Sequence, residues 1–530
     1  MTQTRRDFLR SSALLSAAFA MPWQAAMAQT GTRAPVFKWV PHADLSVVDP
    51  MYSTALITQL YSLLTFDTLF GLDENYEAQP QMAESHSVEN DGLQHTITLR
   101  DGLKFHNGDA VTAADCVASI ERWFVRGGTA TSLAAAVDSV TVVDDKTFVF
   151  ALNTPFPLLP ALLARPQNGC TIMPASEAAS ADRIDRPTGS GPYKMVWDEW
   201  VQGAKVVFAR FEDYVPREGG EAVFTAGAKI AMVDRIEWLV IPDAATAVAA
   251  LQAGEVDGIE GVSLDFAPIL QMMPGFTLYR NAMPQMGVLR FNQLHAPFND
   301  IRVRQAVQMA VSQQDFMYAL AGAENADYLD VHTGAFVPGT PMASDRGMAA
   351  LDGPRDLEAA KALLREAGAY GATITLIDSV SIASLHSMAL IGADLLRRLD
   401  FDVKVETLDW GASLQKREVR VAPSEGGWNV FFTIISGTNN LDPIGQLAIR
   451  GRGEAGWFGW PTSERIEELY AQWMAAATQD ERIEIAAQMQ EQMFVDVPYI
   501  PLGCIYGVTA VTDKWTGVQT NMPTFYTLRG

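Results

Sequence analysis

The sequence is poor in cysteine and in basic residues, and it lacks a long apolar run. Three cysteines, Cys116, Cys170 and Cys504, lie far apart in a chain of 530 residues. An odd number at this spacing forms neither a disulfide framework nor a CxxC metal site, so we expect buried free thiols. Lys and Arg total 39 against 62 Asp and Glu, and the net charge of −23 argues against a nucleic-acid-binding protein.

Residues typical of metal or catalytic sites are also scarce. The seven histidines show no metal-ligand spacing, and no HExxH motif occurs. We therefore predict no metal, no cofactor and no catalytic residues. Ser413-Leu-Gln-Lys416 matches the SxxK motif of penicillin-binding enzymes, but the companion SDN and KTG motifs are absent. An SxxK-type hydrolase stays as an alternative function.

A second motif resembles a nucleotide-binding loop. Gly451 to Gly456 fits the GxGxxG pattern, which binds a pyrophosphate when it opens a helix. Here Trp-Phe-Gly-Trp-Pro follows, and that stretch cannot open a helix. The sequence predicts a glycine-rich loop that presents aromatic residues.

The first 28 residues are predicted to be an export signal. Arg5 and Arg6 precede Phe8 and Leu9 in a twin-arginine pattern, and a short apolar segment follows. Ala26-Met-Ala28 is typical of a cleavage site, so cleavage is expected after Ala28. No cysteine follows the cleavage site, which predicts that no lipid anchor is attached. These features indicate a soluble periplasmic protein.

The remaining chain alternates strand and helix patterns, which is typical of an α/β fold. Residues 94–106 and 137–152 each alternate apolar and polar residues around a turn, and both are predicted to be hairpins. Asp243 and Ser463 are predicted to begin helices.

Several motifs, in order, carry a family resemblance. They include the opening Asp49-Pro50 and five longer stretches: LFGLDENYEAQPQMAES (69–85), TLRDGLKFHNGDAVTAADCVASIER (98–122), GSGPY (189–193), ALQAGEVD (250–257) and RFNQLHAPFNDIRVRQAV (290–307). The chain resembles the family 5 extracellular solute-binding proteins, the dipeptide and oligopeptide receptors of ABC importers. The resemblance covers essentially the whole chain after the signal.

This resemblance implies a two-lobed periplasmic binding protein fold (type II, cluster C) with an extra inserted domain and a ligand cleft between the lobes. It assigns 29–69, 188–279 and 499–530 to lobe I, 70–187 to the inserted domain, and 280–498 to lobe II. The implied function is delivery of a peptide or small organic solute to an ABC permease and ATPase complex by a monomeric receptor. A sensor or chaperone that uses the same fold without transport is a further alternative.

One loop departs from the family pattern. In peptide-binding members, a carboxylate shortly before an Asp-Pro pair binds the α-ammonium of the ligand. Here Asn439 stands three residues before Asp442-Pro443, which disfavours an ordinary peptide. The predicted ligand contacts are Thr438, Asn439, Asn440 and Trp457, with Trp410, Met283, Gln285 and Met286 opposite.

Overall fold

The computed structural model describes residues 36–53, 55–126, 130–520, 522 and 524–530, so the predicted signal peptide lies outside the described residues. Two large sheets dominate it. The first has seven strands, in the order Phe276–Arg280, Val508–Thr512, Gly258–Ile259, Phe37–Val40, Arg235–Leu239, Lys205–Arg210 and Tyr193–Met195. The second has six strands, in the order Leu329–Asp330, Tyr499–Ile505, Gln285–Phe291, Val430–Ser436, Thr373–Ser379 and Asp402–Leu408.

A smaller unit carries a four-stranded antiparallel sheet. Its strands, in order, are Ala83–Glu89, Gln94–Leu99, Thr147–Leu152 and Val137–Val142. Phe70–Leu72 and Ala78–Pro80 form a two-stranded ribbon beside it. We call the seven-stranded sheet and its helices the first lobe, the six-stranded sheet and its helices the second lobe, and this third part the small unit.

Helices cover the sheets, and polar caps begin many of them. Asp243 accepts a hydrogen bond from the amide of Thr246, and Ser463 accepts one from the amide of Ile466, as the sequence predicts. None of the described helices is long and apolar enough to cross a membrane. Their bounds are Leu56–Thr65, Ala113–Arg126, Thr131–Ala136, Leu159–Leu163, Ala175–Ala178, Ala244–Gln252, Ala267–Met272, Ile301–Ala310, Gln313–Ala321, Leu357–Glu366, Ala383–Arg398, Trp410–Lys416, Glu464–Ala475 and Gln479–Asp496.

The central strands of the second-lobe sheet are buried on both faces, whereas its edge strand Asp402–Leu408 is largely exposed. Its strand Gln285–Phe291 is buried throughout except at Gln285, which is the pattern of a strand covered on each side. Phe432 of the neighbouring strand stacks on Phe316 with ring centroids 6.0 Å apart. The three cysteines are free and buried, as predicted, and burial raises the pKa of Cys504 to about 12.

Two chain segments connect the lobes side by side. Residues 281–284 link strand Phe276–Arg280 of the first sheet to Gln285–Phe291 of the second, and Tyr506 and Gly507 link the sheets in the other direction. The amide of Asn281 donates to the carbonyl oxygen of Gly507 at 2.9 Å. A Cβ atom at Gly507 would lie 2.8 Å from the side-chain nitrogen of Asn281, so a larger residue would make that side chain move.

Two sequence predictions differ from the structure. Strand Gln94–Leu99 pairs with Ala83–Glu89 and Thr147–Leu152 instead of folding back at Asp101, so the hairpin predicted over 94–106 is wrong. Strand Tyr499–Ile505 pairs with Gln285–Phe291, which places it in the second-lobe sheet although residues from 499 onward were predicted in lobe I. The second hairpin, over 137–152, is confirmed.

Candidate ligand cleft

The polar loop Ser436–Asn440 follows the central strand of the second-lobe sheet and is held against the segments that connect the lobes. The amide of Gly437 donates to the carbonyl oxygen of Pro284 at 2.8 Å. A Cβ atom at Gly437 would lie 2.7 Å from that oxygen, so a larger residue would push the loop away. The amide of Asn440 donates to Gly437, which closes a single 3₁₀ turn. The loop therefore has a defined position at the hinge.

Two cavities flank this loop. One, of about 360 Å³, lies between the first and second lobes, and we call it the interlobe cavity. The other, of about 340 Å³, lies between the small unit and the second lobe, and its apolar lining includes Tyr76, Leu158 and Trp473. Thr438 lines both cavities. Enclosed spaces of this size between domains are typical of small-molecule sites.

Five of the eight predicted ligand contacts line the interlobe cavity or lie fully buried behind its lining. Thr438, Met283 and Gln285 line it. Asn440 and Met286 lie fully buried behind it, with the Asn440 side-chain nitrogen 3.6 Å from the sulfur of Met286.

Asn439 is half-buried in the turn, and it does not line the interlobe cavity. The side-chain oxygens of Asn439 and Asn440 are both buried, and neither receives a hydrogen bond from any described residue. Buried acceptors of this kind need a donor, because an unsatisfied polar atom is costly. The loop thus presents hydrogen-bond acceptors without a full negative charge.

The two predicted tryptophans do not line either cavity. Trp410 begins the helix Trp410–Lys416, and its amide donates to Ser381. Trp457 packs on Phe431, with ring centroids 6.0 Å apart, and the guanidinium of Arg290 lies 5.0 Å from its ring. Phe431 is five residues before Ser436 on the same strand, so Trp457 lies toward the other end of that strand from the loop. The ligand contact predicted for both tryptophans stays a prediction.

Sequence reasoning missed a charged pair on the first-lobe wall of the interlobe cavity. His42 and Glu260 both line the cavity, and the His42 Nδ1 atom lies 2.8 Å from a Glu260 carboxylate oxygen. Burial lowers the pKa of His42, but the charge of Glu260 and its hydrogen bond outweigh burial, so the pKa lies above the ordinary value.

The positions of this pair follow from the strand order. Strand Phe37–Val40 is parallel to Gly258–Ile259, so the residues after each strand meet at one edge of the sheet. His42 and Glu260 are such residues. The polar residue His42, which follows the apolar stretch 36–40 closely in the sequence, was therefore the signal that could have been found.

An ion pair joins the small unit to the second lobe at the second cavity. Arg165 and Asp442 both line that cavity, and their nearest side-chain nitrogen and oxygen atoms are 2.6 Å apart. The Arg165 side chain is only 8% exposed, and the other oxygen of Asp442 accepts hydrogen bonds from the amides of Ile444 and Gly445. The carboxylate of the Asp-Pro pair is thus already occupied.

We expect the substitution Arg165→Met to favour the open form of the protein. The ion pair is largely buried in this structure, whereas water could solvate both charges if the small unit and the second lobe moved apart, so loss of the pair should shift the closing equilibrium about tenfold, or about 1.4 kcal/mol. Small-angle X-ray scattering of the unliganded variant should show a larger radius of gyration. Arg183→Met is the control, because Arg183 is exposed and its only ion-pair partner among the described residues is nearby Asp185. An unchanged radius in Arg165→Met would contradict the role of the pair.

The SxxK motif does not have the contacts of a catalytic pair. Ser413 is buried, and its hydroxyl accepts a hydrogen bond from Ser379 at 2.8 Å. Lys416 instead donates to a carboxylate oxygen of Glu406 at 2.7 Å. Among the described residues, no group of three or more His, Cys, Asp or Glu side chains could hold a metal ion.

Comparison with known proteins identifies the family. Residues 77–450 match the model of bacterial extracellular solute-binding proteins, family 5. A probable peptide ABC transporter periplasmic-binding protein, y4tO, of Sinorhizobium fredii is 33% identical over the full length of both chains. The glutathione-binding protein GsiB of Salmonella typhimurium is 25% identical over 90% of each chain.

Solved structures show the same fold. The periplasmic binding protein DppA of Helicobacter pylori, in complex with the peptide STSA, superposes with a TM-score of 0.76 at 22% identity. The match covers 95% of this chain and 99% of that one. The two-lobed α/β fold of the cluster C peptide-binding proteins is therefore confirmed. This chain belongs to family 5 of the bacterial extracellular solute-binding proteins, and it is a binding protein rather than an enzyme.

Proposed function

We propose that this protein is the monomeric periplasmic receptor of an ABC importer and that it encloses a small organic or modified-peptide solute between its lobes. Relatives named as a peptide ABC transporter periplasmic-binding protein and as a glutathione-binding protein support a solute of this size. The importer would contribute a permease and an ATPase that recognise the closed form. The solute stabilises the closed form because it contacts both lobes at once.

The absence of a free carboxylate in the loop Ser436–Asn440 carries the proposal about the solute. An enclosed ammonium group needs a partner of opposite charge, because an unpaired buried charge is very costly. Asn439 cannot supply that charge, and Asp442 is bound to Arg165. Thr438, Asn439 and Asn440 therefore suit a neutral donor group.

The export route and the domain boundaries are part of the same proposal. A twin-arginine signal in residues 1–28 would carry the protein across the membrane already folded, with cleavage after Ala28 and no lipid anchor. We retain 70–187 as the inserted domain and 29–69 with 188–279 as the main part of lobe I. Because Tyr499–Ile505 pairs in the second-lobe sheet, we place the last boundary near Tyr506 instead of 499.

The substitution Asn439→Asp tests the role of the loop. Wild-type protein should bind N-acetylated members of a dipeptide library within about threefold of their free-amine forms, because no loop carboxylate pairs with an ammonium. Asn439→Asp should gain at least about tenfold for the free-amine members, since the new carboxylate would pair with them. Competition calorimetry measures both. Asn90→Asp, on an exposed turn of the small unit, is the charge-matched control.

Micromolar binding of plain dipeptides by the wild type, dependent on a free amino terminus, would contradict this proposal.

Two alternative functions have weaker support. A hydrolase would need Ser413 to be activated by Lys416, whose ammonium is bound to Glu406. A sensor or chaperone would have the same cleft, and neighbouring permease and ATPase genes would favour transport over it.

A further inference from the structure

The two walls of the interlobe cavity differ in their chemistry. The second-lobe wall offers the neutral polar side chains of Gln285, Ser436 and Thr438. Within the described part of the chain, His42 and Glu260 of the first lobe are the only charged side chains that line this cavity. Any charge on a solute held here must therefore be matched from the first lobe.

His42, not Glu260, is the accessible member of this pair. The Glu260 side chain is 6% exposed, and both its oxygens are occupied by His42, one by Nδ1 at 2.8 Å and one by the backbone amide at 2.9 Å. The His42 side chain is 31% exposed, and its Nε2 atom has no partner among the described residues. With Nδ1 fixed by a carboxylate, the free Nε2–H of the protonated ring is a donor.

Two lining residues next to His42 determine the charge of this wall. Glu260 favours the protonated imidazole, because it raises the pKa of His42. Tyr506, another lining residue, has a pKa raised to about 12 by burial and is neutral. The guanidinium carbon of Arg280 lies 3.5 Å from the centre of the Tyr506 ring, and the carboxylate of Asp330 acts on Tyr506 in the opposite sense, so His42 carries the positive charge that faces the cavity.

We propose that the solute carries a carboxylate that accepts a hydrogen bond from His42 Nε2, so that the first lobe selects acidic solutes while the loop Ser436–Asn440 binds their neutral polar groups. This inference rests on the proposed function, because it places the solute in the same cleft. Glu260 acts as a positioning residue that holds the imidazole and stabilises its positive charge.

Matched ligands test the inference. The probes are N-acetyl dipeptides prepared in pairs, one as the free acid and one as the C-terminal amide, titrated by calorimetry at about pH 6, where histidine is largely protonated. Wild-type protein should bind acids at least about tenfold more tightly than amides. His42→Gln should reduce this ratio to near one, and Glu260→Gln should reduce it partly. His332→Gln is the control, because His332 is exposed and its ring nitrogens contact Asp345 and Asp352. This substitution should leave the ratio of acid to amide affinity unchanged.

The pH dependence gives a second readout. The raised pKa means that His42 stays protonated below it and loses its charge as the pH rises through it. Acid binding by the wild type should therefore weaken as the pH rises above the ordinary histidine pKa of 6.5, whereas binding by His42→Gln should stay flat over the same titration.

Two results would overturn the inference alone. The first is an acid preference that survives in His42→Gln. The second is a preference for solutes with a free amino group that Glu260→Gln abolishes, since Glu260 would then be the anchor. If no member of either series binds the wild type, and the purified protein carries no solute, the proposed function fails and this inference fails with it.

Discussion

The substitution Thr438→Trp is expected to abolish solute binding. Thr438 is 5% exposed and lines both cavities, so an indole ring in its place would have to enter one cavity or displace the loop that forms the wall of both. We expect affinity for any bound solute to fall at least about 100-fold, or about 2.7 kcal/mol. Calorimetry with the solute recovered from the wild-type protein measures the loss.

A fold control accompanies this variant. Thr141→Trp changes an exposed position on the edge strand Val137–Val142 of the small unit, and it should bind as the wild type does. Circular dichroism should show that both variants melt cooperatively. Wild-type affinity in a folded Thr438→Trp protein would mean that solutes bind elsewhere.

Of the substitutions proposed, Asp67→Ala is expected to lower the free energy of unfolding the most. Asp67 is fully buried, and the Lys229 ammonium lies 2.7 Å from one of its oxygens while the Tyr214 hydroxyl donates to the other. Asp67→Ala leaves the ammonium of Lys229, which is 1% exposed, without its partner. Breaking a buried pair in this way costs about 3–5 kcal/mol, which urea denaturation should detect as a lower free energy of unfolding.

Two comparisons separate the charge effect from simple loss of packing. Asp213→Ala removes a carboxylate from an exposed pair with Lys104 and should cost less than about 1 kcal/mol. The double substitution Asp67→Ala with Lys229→Met should recover part of the lost stability, because the Lys229 ammonium is then no longer buried without a partner, although Arg100, 3.9 Å from Asp67, still loses its carboxylate. A loss below about 1 kcal/mol for Asp67→Ala would contradict the importance of the pair.

Local elements could be predicted from the sequence because their signals are local. Asp243 and Ser463 begin helices as expected, since a side-chain oxygen at the N-cap satisfies a free amide. The stretch after Gly456 opens no helix, in agreement with the prediction from its aromatic and proline residues. The hairpin over 137–152 forms because its turn joins two alternating strands.

Long-range pairing could not be predicted in the same way. The turn residues Asp101-Gly102 do not determine which strand pairs with Gln94–Leu99. That strand pairs with Ala83–Glu89 and Thr147–Leu152. Tyr499–Ile505 contains Pro501 and follows a long helix, yet it is a buried strand of the second-lobe sheet. Its position depends on the chain crossing between the lobes twice, which no local pattern encodes.

The site was predictable only in part. The family pattern directs attention to Thr438 and Asn439 because the Asp-Pro pair marks the loop by sequence. His42 and Glu260 are more than 200 residues apart, and only the parallel pairing of two first-lobe strands brings them together. The weight given to Trp410 and Trp457 came from their residue type, and neither lines the described cavities.

Native mass spectrometry of the protein purified from the periplasm tests the central claim, enclosure of a small solute between the lobes, most directly. The wild type should carry a noncovalently bound organic solute that is released on unfolding, and Thr438→Trp, purified in the same way, should lack it. The released solute should contain no unmodified α-amino terminus. A solute retained equally by both proteins, or an ordinary dipeptide released from the wild type, would contradict the claim.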